Sequence, residues 1–140
     1  MASMPALAVT LPQFRSTPDD TVNALEDSRR LGYSGGFVFD HLWPLGQPQR
    51  PALECWTLLA GLAGRLAALA GGSDGPARPY RLGTLVTRAG LRPSALLAHM
   101  ARTVTSVAGS PPILGIGMGD AGNRLENEAF GILYHSDPTK

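Results

Sequence analysis

Four short apolar runs separated by helical stretches constrain this chain more than any other feature. They are Leu7–Leu11, Gly35–Phe39, Tyr80–Val86 and Ile113–Ile116. Their starts lie about 30 to 45 residues apart, the size of a β-strand followed by a crossover helix and the next parallel strand. Gly35 to Phe39 is apolar at every position, as a strand covered on both faces must be. The pattern reads β-α-β-α-β-α-β-(α), which predicts an α/β fold with a parallel sheet.

The intervening segments carry helix signals. Thr17 can cap, Pro18 suits the first helical position, and Asp19 and Asp20 favour the positive helix end. Val22, Leu25 and Leu31 follow at helical spacing, and Gly32 is a stop. Pro51 is predicted to open a second helix through Trp56, Leu59, Leu62, Leu66 and Leu69. Pro93 is predicted to open a third through Leu96, Leu97, Met100 and Val104, and Glu126–Phe130 the start of a fourth. Gly71–Pro76 is a predicted flexible break. The whole chain, 1–140, reads as one domain, with 132–140 a polar tail.

Two architectures suit that pattern. Gly117-x-Gly119-x-x-Gly122 follows a strand and precedes a helix, as a dinucleotide-binding loop does. That fingerprint also requires a further strand bearing an acid about 20 residues on. Only 18 residues follow Gly122, with no apolar run among them. The other architecture is a (β/α)8 barrel of about 250 residues, of which this chain supplies half. Chemistry in such barrels sits at the C-terminal strand ends. The polar residues collect there: Gln13, Asp40-His41, Thr84, Thr87, Asp120 and Asn123.

Composition narrows the partners. Twelve basic residues against eleven acidic ones give a net charge of +1 with no run of either sign. That argues against a nucleic-acid groove. The single Cys55 excludes an internal disulfide and reads as a buried thiol in an apolar helix. His41, His99 and His135 share no metal-ligand spacing. The N-terminus lacks a basic signal-peptide region, and the apolar stretch Pro51–Gly72 is broken by Glu54 and Arg65. The expectation is a cytoplasmic protein with a small-molecule substrate, no nucleic acid and no membrane.

Five motifs then carry a resemblance. They are Phe39-Asp40-His41-Leu42, Leu82-Gly83-Thr84-Leu85-Val86-Thr87, Arg92-Pro93, Leu114-Gly115-Ile116-Gly117-Met118-Gly119, and Glu126-x-x-Ala129-Phe130-Gly131. In this order and spacing the chain resembles the N-terminal half of the luciferase-like monooxygenase superfamily. That family groups FMN-dependent monooxygenases with oxidoreductases that use coenzyme F420, a 5-deazaflavin. The resemblance implies a barrel that binds the ring at the strand C-termini. It makes Asp40 the residue that contacts the cofactor, and His41 the catalytic group beside the reacting carbon. Thr84-Leu85 becomes a strand bulge backing the ring, often with a non-proline cis peptide. Met118 and Asn123, with Gly117 and Gly119, fall in a cofactor-contacting loop, and Asp120 where the F420 branch carries an acid. F420 is the expected cofactor, with FMN the alternative. A non-catalytic, truncated half-barrel is the reading from another class. Open strand edges predict a homo-oligomer, or a partner chain that completes the barrel.

Each residue also has a plainer reading. Asp40 suits a loop cap, and His41 a structural hydrogen bond. Gly117 and Gly119 suit a tight turn. Asp120 suits the cap of the next helix, and Glu126 a first helical turn where the dipole favours an acid. Strand geometry adds a constraint: Phe37, Phe39 and His41 share one face, Val38 and Asp40 the other. Asp40 and His41 therefore reach one ligand only where the strand ends or bends.

Overall fold

A computed structural model describes residues 6–70 and 79–134. The elements follow the predicted alternation: β1 (Ala8–Thr10), α1 (Pro18–Arg30), β2 (Gly35–Val38), α2 (Cys55–Ala70), β3 (Arg81–Arg88), α3 (Ser94–Ala108), β4 (Ile113–Gly117) and α4 (Arg124–Ala129). Short 3-10 turns, Ala89–Leu91 and Ala121–Asn123, precede α3 and α4. The predicted break at 71–76, His135 and the end of the tail lie outside the described residues.

The four strands form one parallel sheet in the order β1-β2-β3-β4. A doubly wound nucleotide-binding sheet reverses its strand order near the ligand. This one does not, so the winding is that of a barrel, and four strands make half of it.

Local chemistry explains the element ends. Thr17 and Asp20 form a reciprocal capping box at α1, with Asp20 N–H donating to Thr17 Oγ1 at 3.2 Å and Thr17 N–H to Asp20 Oδ2 at 2.8 Å. Gly32 takes the left-handed conformation that stops α1, at φ +86°. The start of α2 corrects the sequence expectation: Pro51 does not open it. Pro51 C=O accepts from Arg15 N–H at 3.0 Å, Ala52 bridges Phe14, and the helix begins at Cys55. The Glu54 carboxylate caps it, accepting from Trp56 N–H at 3.1 Å and Thr57 N–H at 2.7 Å. β3 also runs past its predicted end through Thr87 and Arg88, because a bulge between Thr84 and Thr87 restores pairing with β4.

The core lies on one face of the sheet. Leu11, Val38 and Leu82 meet Leu25, Trp56, Leu59, Leu62, Leu97 and Val104 from the helices. Cys55 is buried among them, and burial pushes its thiol up, as expected of a core cysteine. The opposite face carries Phe37. A Cβ on Gly83 would stand 2.5 Å from Phe37 Cε1, so only glycine lets that ring cross β3. At its N-terminal end this face opens into a cavity of about 470 Å³ lined by Leu7, Phe37, Arg81 and Ile113. Leu85, Val86, Ile113 and Ile116 remain exposed, and β1 and β4 each have a neighbour on one side only. Among the described residues, no helix is long and apolar enough to cross a membrane.

Candidate functional site

The C-terminal strand ends bring two buried carboxylates together with two arginines. β2 stops at Val38, so Asp40 and His41 lie past the strand end, where alternation no longer constrains them. Asp40, 1% exposed, faces Arg92. Arg92 Nη1 donates to Asp40 Oδ2 at 2.5 Å and Nη2 to Oδ1 at 3.0 Å, a bidentate pair. Arg88 N–H adds a bond to Oδ2 at 3.0 Å. Arg92 also reaches Glu54 at 3.4 Å, which ties β2, the β3–α3 connection and the cap of α2 together. Asp40 thus takes a loop-fixing position, the plainer of its two readings.

His41 has a different partner, and its side chain is 17% exposed. Its Nδ1 is 3.1 Å from Glu126 Oε2. Glu126 is 1% exposed and accepts from three further donors: Leu42 N–H, Trp43 N–H at 3.3 Å and Arg88 Nη1 at 2.8 Å. Burial raises the Glu126 pKa, but bonds from His41 and Leu42 and the Arg88 charge outweigh it, so the carboxyl lies below its ordinary range.

Gln13 braces the same rim. Its amide nitrogen donates to Phe39 C=O and Leu53 C=O, and its oxygen accepts from Phe39 N–H, each at 2.7 Å. Phe14 stacks on Phe39 at 5.7 Å. Trp43 packs against Phe130 at 5.9 Å.

The β3 bulge places Thr84 and Leu85 differently. Thr84 is buried, and its hydroxyl donates to Gly115 C=O at 3.0 Å. Leu85 is 48% exposed and joined to Val86 by a cis peptide bond, one bond on from the Thr84-Leu85 position that the resemblance implies. Thr87 is fully buried. β4 presses against the bulge: a Cβ on Gly117 would lie 2.6 Å from Val86 Cγ2. The next loop holds Met118, 74% exposed, and Gly119 at φ +82°. Asp120 is exposed and caps the following 3-10 turn, accepting from Gly122 N–H at 2.8 Å. Asn123 is buried, and its side-chain oxygen accepts from Asp120 N–H at 2.8 Å.

The structure therefore gathers His41, Glu126 and Arg88 into one cluster. Asp120 and Asn123 pair with each other in the β4–α4 loop, and Asp40 pairs with Arg92. The part played by Glu126, Arg88 and Arg92 escapes sequence reasoning. Glu126 does sit in the first turn of α4, as predicted, but its burial follows from the rim loop 41–43 wrapping over it. Alternation along β3 is the one available signal for Arg88, and the bulge interrupts it.

A planar ring needs an apolar floor and a polar edge. Leu85, Val86 and Met118 are exposed apolar side chains and His41 a partly exposed polar one, so the chemistry of these residues suits such a group.

No family model and no curated protein matches this chain. A solved structure does: an F420-dependent secondary alcohol dehydrogenase in complex with an F420-acetone adduct. It aligns with a TM-score of 0.71 and 17% identity, over 97% of this chain. This chain spans 38% of that enzyme's length. The likeness establishes the fold: four parallel strands in one sheet, half of a barrel similar to that of the F420-dependent enzyme.

Proposed function

We propose that this chain forms one half of the site of an F420-dependent oxidoreductase that exchanges hydride with a small organic substrate. The observation that carries the reading is a partly exposed imidazole, His41, held against the buried Glu126 carboxylate at the strand C-termini of a fold that an F420-dependent alcohol dehydrogenase shares almost throughout this chain. The deazaflavin, when bound, supplies a ring carbon that accepts or returns hydride. Leu85 and Val86 floor the ring. Gly117, Met118, Gly119 and Asn123 shape the loop at its side, and the backbone at Thr84 sets the bulge beneath it. Asp40 acts through Arg92 by holding the rim rigid. His41 takes the substrate hydroxyl proton, and Asp120 supports the complementary transfer.

The reading includes closure of the open sheet by a second copy of the chain, since β4 of each copy can extend alongside β1 of the other to make eight strands. It also includes a cytoplasmic setting, which the buried Cys55 thiol suits.

Fluorescence titration with coenzyme F420 and, separately, with FMN tests the cofactor. Saturable micromolar binding of F420 supports the reading. Binding of FMN with oxygen consumption replaces it with a monooxygenase. Binding of neither by folded protein leaves a non-catalytic half-barrel. Light scattering on the same sample tests closure, and a well-behaved monomer refutes it.

A further inference from the structure

We infer that Glu126, not Asp120, is the positioning residue of His41: it fixes the imidazole as the Nδ1–H tautomer and leaves the Nε2 lone pair as the proton acceptor of the rim. Only the use of that proton rests on the oxidoreductase reading; the tautomer follows from the geometry.

An ionised carboxylate offers about four acceptor positions. Three fixed N–H donors surround Glu126, and His41 Nδ1 takes the fourth place. Oε1 accepts from the Leu42 and Trp43 amides, and Oε2 from Arg88 Nη1 and faces His41 Nδ1. A proton on Oε1 would displace one of the amides in a buried place, and one on Oε2 would set a neutral carboxyl against the buried Arg88 guanidinium and leave that charge without its partner. The carboxyl is therefore ionised and has no hydrogen to give. An imidazole nitrogen 3.1 Å from it must then be the one that carries hydrogen. Neutral His41 is left with a bare Nε2, on a ring still partly exposed at the rim.

Asp120 lacks these features. Its carboxylate is exposed and accepts from the Gly122 amide of its own turn. The other charged groups of the rim are engaged elsewhere, Asp40 with Arg92 and Glu54 with Arg92 and the α2 amides.

The chemistry balances simply. A secondary alcohol loses its C–H electron pair as hydride to the deazaflavin and its O–H proton to Nε2, and its carbon becomes a carbonyl. The resulting imidazolium keeps its Nδ1–H on Glu126, which stabilises the charge, and the Nε2 proton passes to water.

Imidazole nitrogen NMR on the full, ¹⁵N-labelled chain, without cofactor, tests this directly. His41 is assigned by the resonance lost in His41→Asn. With the imidazole neutral, His41 should show an unprotonated Nε2 and a protonated Nδ1. In Glu126→Leu the unprotonated Nε2 signal should be lost toward the protonated range, while Asp120→Asn should leave it in place. A protonated Nε2 in the parent protein overturns the inference, as does an unchanged tautomer in folded Glu126→Leu. If Glu126→Leu does not fold, the parent spectrum and Asp120→Asn decide: a tautomer that shifts in Asp120→Asn assigns the role to Asp120 instead. An intact tautomer with no F420 binding removes the oxidoreductase reading and leaves this inference standing.

Discussion

Replacing Arg92 by methionine removes one side of a buried, bidentate ion pair. Asp40 then keeps only the Arg88 amide, at 1% exposure. Breaking a buried pair from one side costs roughly 3–5 kcal/mol, because the remaining charge has lost its partner. The lost contact with the half-exposed Glu54 adds roughly 0–1 kcal/mol. Against a total stability of about 5–15 kcal/mol this is a large fraction. The melting temperature should fall by roughly 10–20 °C. Asp40→Asn keeps an acceptor for the Arg88 amide but strands Arg92. The double variant Asp40→Asn/Arg92→Met carries neither charge, so it should be clearly more stable than the two single losses added together. Thermal and urea melts followed by circular dichroism give the full cycle. An additive cycle, or an Arg92→Met loss below about 1 kcal/mol, would refute the claim that this pair holds the rim.

Gly115→Ala should cost about 1–3 kcal/mol, because its Cβ would stand 2.5 Å from the Thr84 carbonyl, which as backbone yields little; a melt equal to the parent's contradicts this. Glu54 and Glu126 both titrate below their ordinary value of 4.5 in the folded chain. The unfolded chain therefore binds protons first as pH falls. The stability these two groups contribute is present above about pH 4.5 and is lost below it, and Glu126→Gln should flatten that part of a stability–pH curve. Cys55, buried with its thiol pushed up, should resist a thiol reagent in native protein and react fully in urea; fast native labelling would contradict the packing of α2.

The element order was legible because strand and helix each impose a period on apolar residues, and this chain keeps both. Capping residues were legible for the same reason: the Thr17–Asp20 box and the Gly32 stop act within a few residues of themselves. The start of α2 was not. A proline is a local signal, but Phe14 and Arg15, distant in sequence, hold Pro51 and Ala52 out of the helix.

The site divides along the same line. Strand alternation would put Asp40 and His41 on opposite faces, but β2 ends at Val38, before either of them. What each faces was decided by tertiary structure. Arg92 reaches Asp40 across 52 residues of chain, and Glu126 reaches His41 across 85. Sequence alone determined the periods, the caps and the collection of polar residues at the strand ends, since those follow from local sterics and hydrogen bonding. Only the folded chain could choose which carboxylate is buried against which cation. That choice depends on desolvation and on donors brought in from the rim loop, β3 and the β3–α3 connection, and no local pattern encodes either.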